Sequence, residues 1–404
     1  MFKGMLKLVQ SMPVFSDHDH HLPDAFFAEP VTLERLISRS YVNWKPWNLD
    51  GTREQRRKLV ENFQHSSYFT WFEKGVQAVH HVTQPITPDN WDAISKKITA
   101  AYARNPDFHW KTLQRHGYEK MILDTYWEPG SNNGYPELFV PTFRIDNFMY
   151  GYHGRADAPE NYRPWEHYGF KGGTLDDYVD LMRQTIIRRH QRGQLAALKC
   201  AEAYHRPLDF FPDDRQTARR IFGKAPSRTT PAQKILFANY IFHRCCEVAA
   251  ELDIPFQIHT GLAQLAGSNP LRFEPVIAGY PQVRFILFHA GYPWIAETAG
   301  LLHNYPNALP NLTWVPIIST SAAVRALHEF LDVAASAQSI TWGSDCWTPE
   351  ESVGAMHAWQ FVAAKVLAER IHDRRLTLKA AEKLARELMH ANGRRTYLKT
   401  DGHE

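Results

Sequence analysis

Short apolar runs alternate with longer stretches of helical periodicity along most of this chain. In the C-terminal half the runs are IPFQIH (254–259), VRFILFH (283–289) and SITWGSD (339–345). Runs this short, rich in Ile, Val and Phe, predict buried strands. The stretches between them predict helices. Residues 319–335 open with Ser and Thr, which cap helix N-termini, and continue with apolar residues at helical spacing. Residues 349–370 begin with acids that suit the positive end of a helix. Pro293 predicts a helix start after the second run, where its missing N–H costs nothing. Residues 231–253 read as a long helix before the first run. Four strand-like runs come earlier: PVFSDH from Pro13, EKMILDTY (119–126), LFVPTFRID (138–146) and QLAALKCAEAY (194–204). A weaker one, NALPNLTWVPI, falls between the second and third C-terminal runs. Strands alternating with helices predict parallel βα units, and eight in order predict an α/β fold of the (β/α)8 TIM-barrel type.

The spacing is uneven. Roughly ninety residues separate the first strand from the second, far more than an ordinary βα connection. That stretch is aromatic and helical in pattern, with NWKPWNL and YFTWFEK inside it. It predicts a helical insertion over about 24–118, within a single domain spanning 1–404, that lies over the barrel mouth as a lid or forms a subunit interface.

Composition narrows the classes. Of 404 residues, 44% are hydrophobic and 22% charged, which is ordinary for a globular chain. The net charge of +3 comes from 46 basic and 43 acidic residues, so no nucleic-acid footprint is expected. Basic clusters at 53–58 and 186–192 read as solvated helix faces. No window approaches the eighteen apolar residues of a membrane span, and the N-terminal run is too short for a signal peptide. The four cysteines form no C-x-x-C pair, so a reduced, cytoplasmic chain is expected. Nucleotide-binding glycine loops and the G-x-S-x-G elbow are absent from the sequence.

The chemistry concentrates at strand ends. Asp17 to His21 read DHDHH, and later runs end in His259, His289 and Asp345. A lone histidine at a strand end is usually structural. A TIM barrel, however, gathers the C-terminal ends of all its strands at one mouth. Four such ends bearing His or Asp point to a metal site with an open position for water or substrate. Asp345 is the natural proton acceptor. Arg144 and Lys199, ending the third and fourth strands, suit a substrate carboxylate or a polarised carbonyl.

The strand-1 D-x-[HDE]-x-H pattern, QIHTG (257–261), LFHAGYPW (287–294) and WGSD (342–345) together resemble the amidohydrolase superfamily. More narrowly the chain resembles the family-2 amidohydrolases, related in pattern to uronate isomerases. The likeness covers residues 194 to about 354 well and the insertion weakly. It implies a metal-dependent hydrolase acting on a small, acidic or sugar-derived substrate. It also implies one divalent metal per chain, zinc being the expected species, and a homo-oligomer. Aligning on Asp17 makes Asp19 and His21 the strand-1 metal ligands, joined by His259 and Asp345; the His18/His20 register stays open. Asp345 shuttles the proton, His289 acts as an electrophile beside the metal, and Arg144, Lys199 and Tyr204 bind substrate. Lys199 as a carboxylated bridge between two metals is the alternative to substrate contact. Asn311, in the weaker run NALPNLTWVPI, stands where relatives commonly carry Asp, so one charge expected from the resemblance is missing. An isomerase or decarboxylase on the same site is the second reading, and a non-catalytic binding barrel the third.

Overall fold

The computed structural model describes residues 1–44, 51–159 and 162–398. Seven parallel strands pair in chain order: β1 (Val14–Asp19), β2 (Tyr118–Leu123), β3 (Phe139–Arg144), β4 (Ala197–Cys200), β5 (Phe256–Ile258), β6 (Phe285–Leu287) and β7 (Ala308–Pro310). The eighth run does not form a regular strand. It meets the β7 side through a parallel bridge between Asn311 and Thr341. The backbone still closes the ring there. Leu312 N–H donates to the Thr341 carbonyl, Asp17 N–H to that of Trp342, and Asp345 N–H to that of His18. Residues 341–345 therefore stitch β7 to β1, and the mouth has eight strand ends as expected.

Helices cover the sheet. We label four: α1 (Ser67–His80), α2 (Leu175–Gln191), α3 (Pro231–Leu252) and α4 (Pro349–His372). Thr174 with Asp177, and Thr230 with Gln233, form reciprocal capping boxes that start α2 and α3. The helix after β6 spans Ile295–Asn304, so Pro293 precedes it by two residues rather than opening it. Between β1 and β2 the described chain is largely helical, and α1 lies in it. It crosses α4 closely: a Cβ on Gly75 would sit 1.8 Å from the Glu350 carbonyl oxygen, and one on Gly354 2.1 Å from that of Trp71. The long connection is thus fastened to the helix that follows the eighth strand end. Residues 45–50, which include most of the aromatic NWKPWNL stretch, lie outside the described residues. Among the described residues no helix is long and apolar enough to cross a membrane. All four cysteines are free and buried.

One irregularity positions the site. β1 pairs with β2 as Ser16↔Met121 and then Asp19↔Leu123, three residues against two. This is a β-bulge, and a bulge reverses which side chains face inward beyond it. Phe15, before it, packs with Ile122, Ile286 and Phe288 in a small apolar cluster inside the barrel. Gly343 seats the eighth run against the bulge, for a Cβ there would lie 2.5 Å from His18 N.

Candidate metal centre

Above the bulge His18 and His20 face the mouth, not Asp19 and His21. The expected Asp19/His21 pairing assumed unbroken alternation from Asp17, and the extra residue shifts the phase. Asp19 accepts instead from Ser16 Oγ at 2.5 Å and from the Ser344 hydroxyl. His21 Nε2 contacts Ser352 Oγ at 3.1 Å. Both are buried away from the cavity. Asp17 itself accepts from Asn311 Nδ2 at 2.7 Å and Thr313 Oγ1 at 2.6 Å. Asn311 therefore serves a carboxylate inside the barrel, and that carboxylate is Asp17's.

The donor atoms have the spacing of a metal's ligands. His20 Nε2 is 3.4 Å and His18 Nε2 3.6 Å from Asp345 Oδ1. His18 Nε2 is also 3.6 Å from Asp124 Oδ2, and His18, His20 and Asp124 form a compact, buried cluster of potential ligands. These gaps exceed good hydrogen bonds. Two atoms each bound at about 2.1 Å to a tetrahedral ion lie about 3.4 Å apart. His20 Nδ1 sits 2.7 Å from the Asp124 carbonyl oxygen. A carbonyl only accepts, so Nδ1 carries the proton and Nε2 keeps its lone pair, the usual support for a ligating imidazole. Asp124 Oδ1 is buried without a hydrogen-bond partner among the described residues, an orphan that a cation would satisfy. Two imidazoles and two carboxylates suit zinc, manganese or iron. Asp345 has φ +66°, a left-handed backbone that L-residues adopt at a cost of about 1–3 kcal/mol, commonly at functional sites.

The facing side of the mouth is cationic and imidazole-rich. Lys199 is 1% exposed, with Nζ 3.6 Å from the Phe288 ring centroid. Burial lowers its pKa to about 8, although Asp124 pulls the other way. Arg144 pairs with Asp124 at 2.5 Å. Burial pushes the Asp124 carboxyl up, but Arg144, with His20 and Lys199, more than offsets it and holds the group below its ordinary range. His259 Nε2 lies 2.9 Å from the Leu262 carbonyl, and His289 Nδ1 2.9 Å from that of Thr313. Both protons are therefore committed to carbonyls. The remaining nitrogens, His259 Nδ1 and His289 Nε2, face each other 3.1 Å apart as two lone pairs. Burial pushes both imidazoles well below their usual pKa, His259 with help from Lys199 and His289 with help from His259, so a third proton between them is disfavoured. A cation or a substrate proton would relieve that contact.

A family model described as Amidohydrolase matches residues 165–398, more than half of the chain. The chain belongs to the amidohydrolase family. Metal-dependent enzyme chemistry, which the family implies, fits the donor set at the mouth. Protein fluG of Emericella nidulans is 27% identical over 221 residues, 50% of this chain but only 25% of that protein. The match therefore spans about a quarter of that relative's length. Uronate isomerase from Thermotoga maritima superposes with a TM-score of 0.78 at 13% identity, covering 98% of this chain and 97% of the other. A Lactobacillus casei protein assigned as a metal-dependent hydrolase gives 0.69 at 15%, covering 98% and 99%. At these identities the two structures establish a shared fold.

In this amidohydrolase a cavity of about 370 Å³ brings together Asp345, His259, Arg144, Lys199 and Tyr204 with His18 and His20. His289 stands behind His259, touching it but buried. A larger cavity of about 680 Å³, beside Arg284, Arg395 and Tyr397, lies apart from this ligand cluster. Sequence reasoning missed Asp124 and Tyr41. Asp124 directly follows β2, inside the run 119–126 whose last residue is Tyr126, so a rule that reads only the final residue of a run passes over it. Tyr41, from the long connection, donates its hydroxyl to Asp345 Oδ2 at 2.5 Å, while its backbone N–H donates to Glu351 Oε1 at 2.6 Å. Nothing in the sequence near Tyr41 marks that contact.

Proposed function

We propose that this amidohydrolase hydrolyses a small, carboxylate-bearing substrate, with a divalent metal, zinc by preference, held by His18, His20 and Asp345 and flanked by Asp124 and His259. The observation that carries this reading is one cavity shared by an open imidazole–carboxylate donor set and a buried ammonium. Among the described residues nothing accepts a hydrogen bond from Lys199 Nζ. A buried cation without an acceptor is costly unless an anion completes it. A substrate carboxylate would do so, with Arg144 beside it. The metal, when bound, would polarise the scissile carbonyl and make water acidic enough to attack near neutral pH. Asp345 accepts the water proton and returns it to the leaving group. Tyr41 holds that carboxylate in place by its short hydrogen bond. Tyr204, 4.4 Å from the His259 ring, walls the substrate against the cation side.

The test is turnover of a panel of acidic amides, esters and lactones in ¹⁸O-labelled water. Solvent oxygen in the product, with turnover sharply lowered by D345N and lost on chelation, is the expected result. Turnover without label, as aldose–ketose interconversion or release of CO2, would replace hydrolysis by isomerisation or decarboxylation at the same residues. An unchanged rate in D345N would refute the mechanism.

A further inference from the structure

We infer that Gln257, held by Asp17 and by Tyr397 near the chain's C-terminal end, is the positioning residue that selects which nitrogen of His18 meets the metal. The inference rests on His18 being a ligand, as proposed above.

Gln257 is the central residue of β5 and fully buried. Its amide could face either way, and its surroundings decide. Nε2 lies 3.0 Å from the Asp17 carbonyl oxygen. That oxygen only accepts, so the –NH2 end must point to it. Nε2 lies also 3.1 Å from Tyr397 Oη. The Tyr397 hydroxyl has one proton and directs it to Asp17 Oδ2 at 3.3 Å, leaving its lone pairs for the amide. Both N–H donors of the amide are thereby used. Oε1 is left facing His18 Nδ1 at 3.1 Å. An amide oxygen only accepts, so His18 carries its proton on Nδ1 and presents the Nε2 lone pair to Asp345 and Asp124. His20 obtains the same tautomer from a backbone carbonyl that no substitution removes. For His18 it depends on one side chain, and through it on residues 240 and 140 positions away from Gln257. Without Oε1, His18 Nδ1 has no fixed acceptor, and the ring is free to place its proton on the ligating nitrogen.

The experiment uses the full chain with ¹⁵N-labelled histidine, stripped of metal, the His18 signals assigned by their loss in H18A. Two-bond ¹H–¹⁵N correlations read the tautomer, and competition against a chromophoric chelator reads zinc affinity. Wild type is expected to show His18 protonated on Nδ1. Q257M is expected to lose that tautomer and to bind zinc about 10–100-fold more weakly, the usual cost of removing a ligand's supporting hydrogen bond. Q257E keeps an acceptor toward His18 but loses both anchoring N–H donors, so it should retain the Nδ1-protonated tautomer while melting earlier than wild type. Y397F leaves the Asp17 carbonyl holding the amide and should weaken zinc only about 2–10-fold. An Nε2-protonated His18 in wild type would overturn the assignment without any variant having to fold. So would a Q257M protein that melts early yet keeps wild-type tautomer and affinity, which is the signature of a merely structural residue. Zinc affinity unchanged in H18A would overturn the metal reading itself, a result separate from the tautomer.

Discussion

The two sides of the barrel mouth are made of the same material, strand ends bearing histidines, but carboxylates stand beside the imidazoles on one and a buried ammonium on the other. On the β1, β2 and eighth-strand side, His18 and His20 turn bare nitrogens toward Asp345 and Asp124 at 3.4–3.6 Å. Asp124 Oδ2 already pairs with Arg144 and Asp345 Oδ2 with Tyr41, which leaves Asp124 Oδ1, Asp345 Oδ1 and the two imidazole nitrogens for a cation. On the β4 to β6 side, the buried Lys199 ammonium lies over the Phe288 ring, and His259 and His289 have committed their protons to backbone carbonyls. There the Lys199 ammonium suits an anionic substrate group, while the facing lone pairs of His259 Nδ1 and His289 Nε2, 3.1 Å apart, call for a proton or a cation. The difference shows how a fold with one kind of strand end makes two kinds of site. What matters is where each imidazole proton is pinned and whether a carboxylate or an ammonium stands beside it.

This contrast breaks cleanly under substitution. D345N neutralises the carboxylate that both histidines face and the proposed proton acceptor, and should lower kcat about 10²–10⁴-fold. K199M acts on the other side. It should raise KM for a carboxylate substrate about ten- to hundredfold, the worth of a charged hydrogen bond, with metal content unchanged. The same lysine gives a pH signature. Its ammonium, with a pKa of about 8, is charged below that pH and neutral above it. KM should therefore climb as pH rises through about 8 in wild type and stay flat there in K199M, measured by initial rates. The smallest effect sharpens the account of β1. G343A forces a methyl group against His18 N and should cost about 1–3 kcal/mol by denaturant titration, with the cation side untouched.

Much of this was legible in the sequence, for identifiable reasons. β5 and β6 are short, apolar and regular, so the run itself marks where His259 and His289 emerge. Asp345 and Lys199 were found by the same rule. β1 was misread because a bulge has no signature in the apolar pattern. DHDHH offers ligand-type side chains in both phases, and only the pairing of Ser16 and Asp19 with β2 selects one. Tyr41 was invisible for another reason. It reaches Asp345 across 304 positions through a connection whose placement depends on the Gly75–Gly354 helix crossing. Periodicity reports local structure and cannot report such a contact.

The most direct test of the central claim is metal bound per chain, by elemental analysis after reconstitution, in two double variants. H18A/H20A should hold none at this site, and D19N/H21Q should keep about the wild-type amount. Metal retained in the first and lost in the second would contradict the account and return the ligands to the unbulged register.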